Sequence, residues 1–220
     1  MIETTVNALQ TLIAGVCAGF SLRKSIRTGS RSWLLLTLFF SSFFFGDLYW
    51  QLYLLFYGQT PPYSFAPELN WYSAYLFLIL LLANIQGESY LQTGNPTIRK
   101  EERRVAPFMV LIPLFTFGMC IFYMNWGSYI NNLITAVLMT LLLWYAFRGL
   151  GLRDSSGKTA GKYRSIYIIT LLFSLVEYAL WTSSCFWMGD TLRSPYFWFD
   201  LLLSFVLILF PAALSKEVRG

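Results

Sequence analysis

The chain reads Arg23-Lys24-Ser25-Ile26-Arg27-Thr28-Gly29-Ser30-Arg31 and then runs from Trp33 to Tyr57 with Asp47 as its single charged residue. A spanning helix needs roughly 20 apolar residues, so residues 33–57 are long enough to cross a bilayer. The same unit recurs along the chain. Apolar runs cover residues 5–22, 33–57, 71–91, 107–124, 129–150, 166–188 and 197–214. Every second gap between them is basic: Arg23 to Arg31, then Arg99-Lys100…Arg103-Arg104, then Arg148…Arg153…Lys158…Lys162…Arg164, with Lys216 and Arg219 in the tail. Fifteen of the sixteen Lys and Arg residues fall there, and the alternate gaps carry only Arg193. Cytoplasmic loops of membrane proteins hold the excess of Lys and Arg. The pattern predicts an all-α integral membrane protein of seven helices, N-terminus outside and C-terminus cytoplasmic, with residues 1–220 forming one transmembrane domain in a bacterial inner membrane.

Composition agrees with a lipid solvent. The chain is 56% hydrophobic and 12% charged, against about 25% charged for an ordinary soluble domain. Mean hydropathy is +0.54. The net charge of +5 is spread over the basic gaps, as topology requires, and implies no nucleic-acid partner. An anionic-lipid contact at residues 98–105 is weakened by Glu101 and Glu102. Segment 5–22 lacks a basic n-region and leads straight into a basic gap, so no cleaved signal is expected. Cys17, Cys120 and Cys185 are a scattered odd set that reads as apolar filler, with a Cys120–Cys185 bridge left open.

What is missing excludes much. Without histidine there is no His general base, zincin motif or Ser-His pair, and no His-held haem or metal. No Lys lies in the body of a helix, so a retinal Schiff base is not available, and no Gly-rich phosphate loop occurs. The expectation is a non-enzyme without cofactor or metal. The connections are too short to hold a soluble domain, so any site must lie within the bundle or at its mouths.

Polar residues at membrane depth are costly and tend to face the bundle interior or a water-filled cavity. Asp47 lies about 14 residues into its run, or about 21 Å. Trp50 and Gln51 follow at i+3 and i+4, on the same helix face. Glu177 lies mid-run, followed by Trp181 and Ser184 at i+4 and i+7. Asn131 and Asn132 open the fifth run, and Asp200 is near the start of the seventh. All nine point to the outer half of the bundle and are the candidate ligand-binding or pathway residues. Against this stands helix–helix hydrogen bonding, the common role of isolated membrane Asp and Asn, which fits Asn131, Asn132 and Asp200 best. Tyr49, Tyr53, Tyr57, Trp71, Tyr72, Tyr75, Trp187, Tyr196 and Trp198 read mostly as interfacial belt. Asn84, Gln86 and Glu88 read as inner-interface residues or an inner gate.

Asp47…Trp50…Gly58…Pro62-Tyr63 echoes Glu177…Trp181…Gly189…Pro195-Tyr196, which suggests a parallel 3+1+3 pseudo-repeat with segment four as linker. The stretch Gly46-Asp47-Leu48-Tyr49-Trp50…Gly58…Pro61-Pro62-Tyr63…Pro67-Glu68…Tyr72…Tyr75-Leu76, with Trp198-Phe199-Asp200, resembles the seven-helix N-terminal membrane domains of bacterial sensor histidine kinases and diguanylate cyclases. The likeness covers about a third of the chain. It implies a domain that senses an outer or intramembrane cue and passes it to a cytoplasmic output. No kinase or cyclase follows Gly220, which implies a separate partner chain or the membrane part alone. The 3+1+3 sugar-transporter and PQ-loop family is also similar in topology and in Trp50…Tyr53…Tyr57-Gly58, but no Pro-Gln dipeptide occurs.

The leading expectation is a sensor or receptor-like module that binds a small or lipophilic ligand in an outward-facing cavity. Its partners would be the lipid bilayer, that ligand, and a separate signalling chain or a second copy. The alternative is a small-solute transporter or lipid flippase with Asp47 and Glu177 on the pathway. An accessory membrane subunit is the third reading.

Overall fold

The structure is a computed structural model that describes residues 2–59, 65–93, 98–151, 163–187 and 192–218. Seven helices follow one another: α1 (Ile2–Thr28), α2 (Arg31–Tyr57), α3 (Phe65–Thr93), α4 (Ile98–Phe122), α5 (Tyr129–Gly151), α6 (Arg164–Phe186) and α7 (Pro195–Val218). A 3-10 turn, Tyr123–Asn125, closes α4. Each helix is long and apolar enough to cross a membrane. Their outward faces carry exposed Leu12, Val16, Leu55, Phe56, Val110, Leu114, Ile121, Ile130, Leu175 and Phe205. Helices apolar on outward and inward faces alike belong in lipid, and the chain is an all-α, seven-helix, multi-pass membrane protein.

The helices outrun the apolar segments. The first continues past residue 22 through Arg23, Lys24 and Arg27, the third begins at Phe65 rather than 71, and the fourth begins at Ile98 inside a stretch expected to be loop. The reason is that hydropathy measures the hydrocarbon thickness, about 30 Å, whereas a helix ends where its last backbone groups are capped. α1 ends at Gly29, whose φ of 63° is open to glycine at little cost and whose N–H reaches the Ser25 carbonyl at 2.8 Å. Arg31 then opens α2 at once. Pro107 and Pro113 sit inside α4. Membrane helices tolerate proline where neighbours take up the freed groups.

Packing orders the helices into a ring. α1 lies on α2, α2 on α3, α3 on α5, α5 on α6, α6 on α7, and α7 returns to α1. α4 stays outside the ring, against α5. Asp47 lies on α2 and Glu177 on α6 of this ring. The ring is tied by side chains: Asn84 donates to the Ser32 hydroxyl at 3.1 Å and Gln86 to the Tyr145 carbonyl at 2.6 Å. The Thr116 and Thr140 hydroxyls meet at 2.6 Å between α4 and α5. Asn84 and Gln86 thus bind helix to helix, each to a polar partner on a neighbouring helix. Such bonds are worth about 0.6 kcal/mol each on average in membranes, so most of the cohesion is van der Waals packing. Its centre is Phe39, Phe173 and Phe210, all fully buried, with ring centroids 5.6–6.0 Å apart.

Cys17, Cys120 and Cys185 are free thiols, so no Cys120–Cys185 bridge forms. The side chains of Glu88 and of residues 98–106, where the lipid contact was expected, lie outside the described residues. So do Arg153, Lys158, Lys162, Asp190 and the Pro62-Tyr63 and Gly189 parts of the internal echo.

Among the described side chains, Arg23, Lys24, Arg27, Arg31, Arg148, Arg164 and Lys216 share one end of the bundle. The other end, which holds the start of α1, has Arg193 alone. In a cysteine-free background, Cys at Ser30 should be shielded from an impermeant thiol reagent in intact cells, and Cys at Gln59 should react. The opposite labelling would reverse the orientation.

Candidate functional site

The half of the bundle nearest the start of α1 encloses a cavity of about 990 Å³. Ligand cavities usually span about 300–1,000 Å³. It reaches the surface between the helix ends, where the exposed residues Asn125, Gly127 and Trp187 line it. It stops at Phe43 and Leu203. Beneath Phe43 lie Phe39 and Phe173, at centroid distances of 5.8 and 6.2 Å. The cavity is therefore a cup whose floor is the aromatic centre of the ring.

Each helix of the ring delivers part of the wall for a local reason. On α2, Gly46 has no side chain, and a Cβ there would sit 2.7 Å from the Trp71 indole nitrogen. This lets the Nε1–Cδ1 side of Trp71 of α3 come close to α2 and donate its indole N–H to Asp47 Oδ1 at 3.0 Å. The other oxygen, Oδ2, is buried and has no hydrogen-bond partner among the described residues. Trp50 stands beside Trp71, with centroids 5.9 Å apart. On α6, Glu177 is 2% exposed and takes a hydrogen bond from the Tyr75 hydroxyl of α3, while its Oε1 has no partner. Trp181, one turn on, packs edge-on against Tyr75 and Tyr178. Asp200 on α7 is 3% exposed and lies within electrostatic range of both Asp47 and Glu177. At the mouth, Asn131 of α5 hydrogen-bonds to Glu68 of α3.

Eight of the nine residues singled out from sequence line this cavity: Asp47, Trp50, Asn131, Asn132, Glu177, Trp181, Ser184 and Asp200. Gln51 does not. Its amide donates to the Thr4 carbonyl at 3.2 Å, because α1 packs along that side of α2 and its first turn has carbonyls near to hand. Two of the eight are spent structurally. Asn132 donates to the carbonyls of Tyr123 and Trp126, at 2.8 and 3.1 Å, and so fixes the 3-10 turn. The Ser184 hydroxyl donates to Trp181 O at 2.7 Å.

The aromatic belt divides differently from the expectation. Trp71, Tyr72, Tyr75, Trp187 and Tyr196 line the cavity, whereas Tyr49, Tyr53, Tyr57 and Trp198 do not. A signal for the first group was present: Glu68, Trp71, Tyr72 and Tyr75 are spaced i, i+3, i+4, i+7 and form one stripe of α3. Asn7 and Gln10 of α1 also line the wall and gave no such signal.

No protein-family model matches the chain, and neither does any curated protein or solved structure. The site is therefore read from its geometry. Among the described residues no group of three or more acidic, Cys or His side chains is placed to hold a metal ion.

Proposed function

We propose that this protein is a receptor-like membrane module that binds a small ligand in an outward-facing cup and passes occupancy to a cytoplasmic partner or a second copy. The observation that carries the reading is the asymmetry of the ring. One half holds a lined cavity in which Asp47 Oδ2 and Glu177 Oε1 have no hydrogen-bond partner among the described residues, and the other is filled by Phe39, Phe173 and Phe210. Three buried hydroxyls below the cup are spent within their own helix: Thr37 on Trp33 O at 2.8 Å, Thr170 on Ile166 O at 2.9 Å, Ser174 on Thr170 O at 3.0 Å. A conduit needs polar groups along its whole route, and these three hydroxyls are already engaged; Ser21 Oγ, Gln86 Oε1 and Ser215 Oγ in this half have no partner among the described residues, but none of these side chains lines the cavity.

The ring order favours a second reading, a small-solute transporter, because two parallel three-helix units around a shared site are a layout used for alternating access. Reconstitution separates the two. A solute that raises the unfolding temperature without crossing proteoliposomes supports the receptor, since a ligand bound to the folded state stabilises it by mass action. Saturable flux abolished by Asp47→Asn would hand the lead to the transporter.

A further inference from the structure

The walls of the cup have a chemistry of their own. Asp47, Glu68, Glu177 and Asp200 line it, and no Lys, Arg or His does. An anionic ligand would meet four carboxyls and no counter-charge. A neutral one would leave those carboxyls without a charged partner in the cup. The two deepest are also half-used. Asp47 Oδ1 accepts from Trp71 and Glu177 accepts from Tyr75, while Asp47 Oδ2 and Glu177 Oε1 have no partner among the described residues, in side chains 7% and 2% exposed. Protein donors hold the two carboxyls in place and leave one oxygen of each for something else.

Indoles belong to the same wall as these carboxyls. Trp71 binds Asp47 through its ring edge and is flanked by Trp50, and Trp181 follows Glu177 by one turn on the same face. Aromatic faces attract cations, most effectively those whose charge is spread over alkyl groups, and walls of this kind are what quaternary ammonium recognition uses. A small metal ion needs several hard oxygens in close array, and no such group exists among the described residues. The volume of about 990 Å³ exceeds an ammonium head by far and leaves room for an apolar body.

We propose that the cup binds an organic ammonium cation, its charged head between Asp47 and Glu177 and against Trp71 and Trp181, its apolar part toward the remaining aromatic wall. This rests on the reading of the cup as a ligand site, and the test keeps the two apart. The purified full chain in maltoside detergent is titrated with choline, tetraethylammonium and benzyltrimethylammonium, reading tryptophan fluorescence and unfolding temperature. 3,3-Dimethylbutan-1-ol, the uncharged isostere of choline, and benzoate serve as controls. At least one cation should bind saturably, with choline or its larger relatives at least about tenfold tighter than the neutral isostere, a gap of about 1.4 kcal/mol. Asp47→Asn and Glu177→Gln keep the shape of the wall and should each close most of that gap, while the ligand-free unfolding temperature shows that the variants are folded. If the alcohol binds as well as choline does, or if benzoate binds best, the cup remains a ligand site and the cation assignment falls. If no cation gives a saturable response, the assignment also falls. If no probe of any charge does, the receptor reading falls with it.

Discussion

Gly46→Ala is expected to destabilise the protein by about 1–3 kcal/mol, the range for an added methyl in a filled space, and to remove its ligand response. A Cβ at position 46 would lie 2.7 Å from Nε1 and 2.8 Å from Cδ1 of Trp71, and 3.3 Å from the Pro67 carbonyl oxygen. The carbonyl is backbone of α3 and gives little, so the indole must swing away. Asp47 Oδ1 then loses the donor that holds it, and leaving a buried acceptor unsatisfied costs about 1–3 kcal/mol more. The control has the opposite sign. Gly19 of α1 has open space around it, and in a helix alanine is preferred over glycine by about 1 kcal/mol, so Gly19→Ala should be neutral or stabilising. Thermal unfolding of the two variants decides the matter. In a Trp71→Ala background the cost of Gly46→Ala should shrink, because the clash is then removed, and a double-mutant cycle measures that coupling directly. Equal losses in both backgrounds would mean that position 46 acts through helix propensity alone.

The same site shows where sequence reasoning reached and where it stopped. Seven crossings and the basic end were legible because lipid leaves few alternatives: an apolar run of spanning length must be a helix, and charge asymmetry needs no contact to be read. Depth was legible too, and it found Asp47, Glu177 and Asp200 in the right half of the bundle. What periodicity cannot supply is the identity of the neighbour. Gln51 shares a face with Asp47 by spacing, yet α1 occupies that flank and takes its amide. The stripe that Trp71 shares with Glu68, Tyr72 and Tyr75 marks a face of α3, but it does not show that the indole's place depends on a glycine in another helix. The beginning of α4 was missed for a different reason. Residues 98–106 are rich in charge and precede the apolar run, where hydropathy is silent about helicity, so the run's start at 107 was not the helix start. Asn132 was rightly open to a structural reading, but the 3-10 turn it holds has no signature in the chain.

Phe173→Ala is expected to cost about 3–5 kcal/mol, the range for emptying a buried aromatic site. The ring is fully buried and packs on Phe39, Phe43, Tyr75 and Phe210 at centroid distances of 5.9–6.2 Å. Phe205→Ala removes a ring of the same size from the exposed outer face of α7 and should cost little by comparison. Stability is only half of the expected result, because Phe173 is also part of the floor. Thr170 lies one turn toward the basic end of α6 and is fully buried. In a cysteine-free background, Thr170→Cys should resist a small thiol reagent added from the cup side while Phe173 is present. It should react once Phe173→Ala opens the layer above it. The comparison is made within folded protein, well below the lowered unfolding temperature of the double variant. Labelling of Thr170→Cys with Phe173 in place would mean that water already passes the aromatic layer. The cup would then have no floor, and its carboxyls would stand on a route rather than at the bottom of a site.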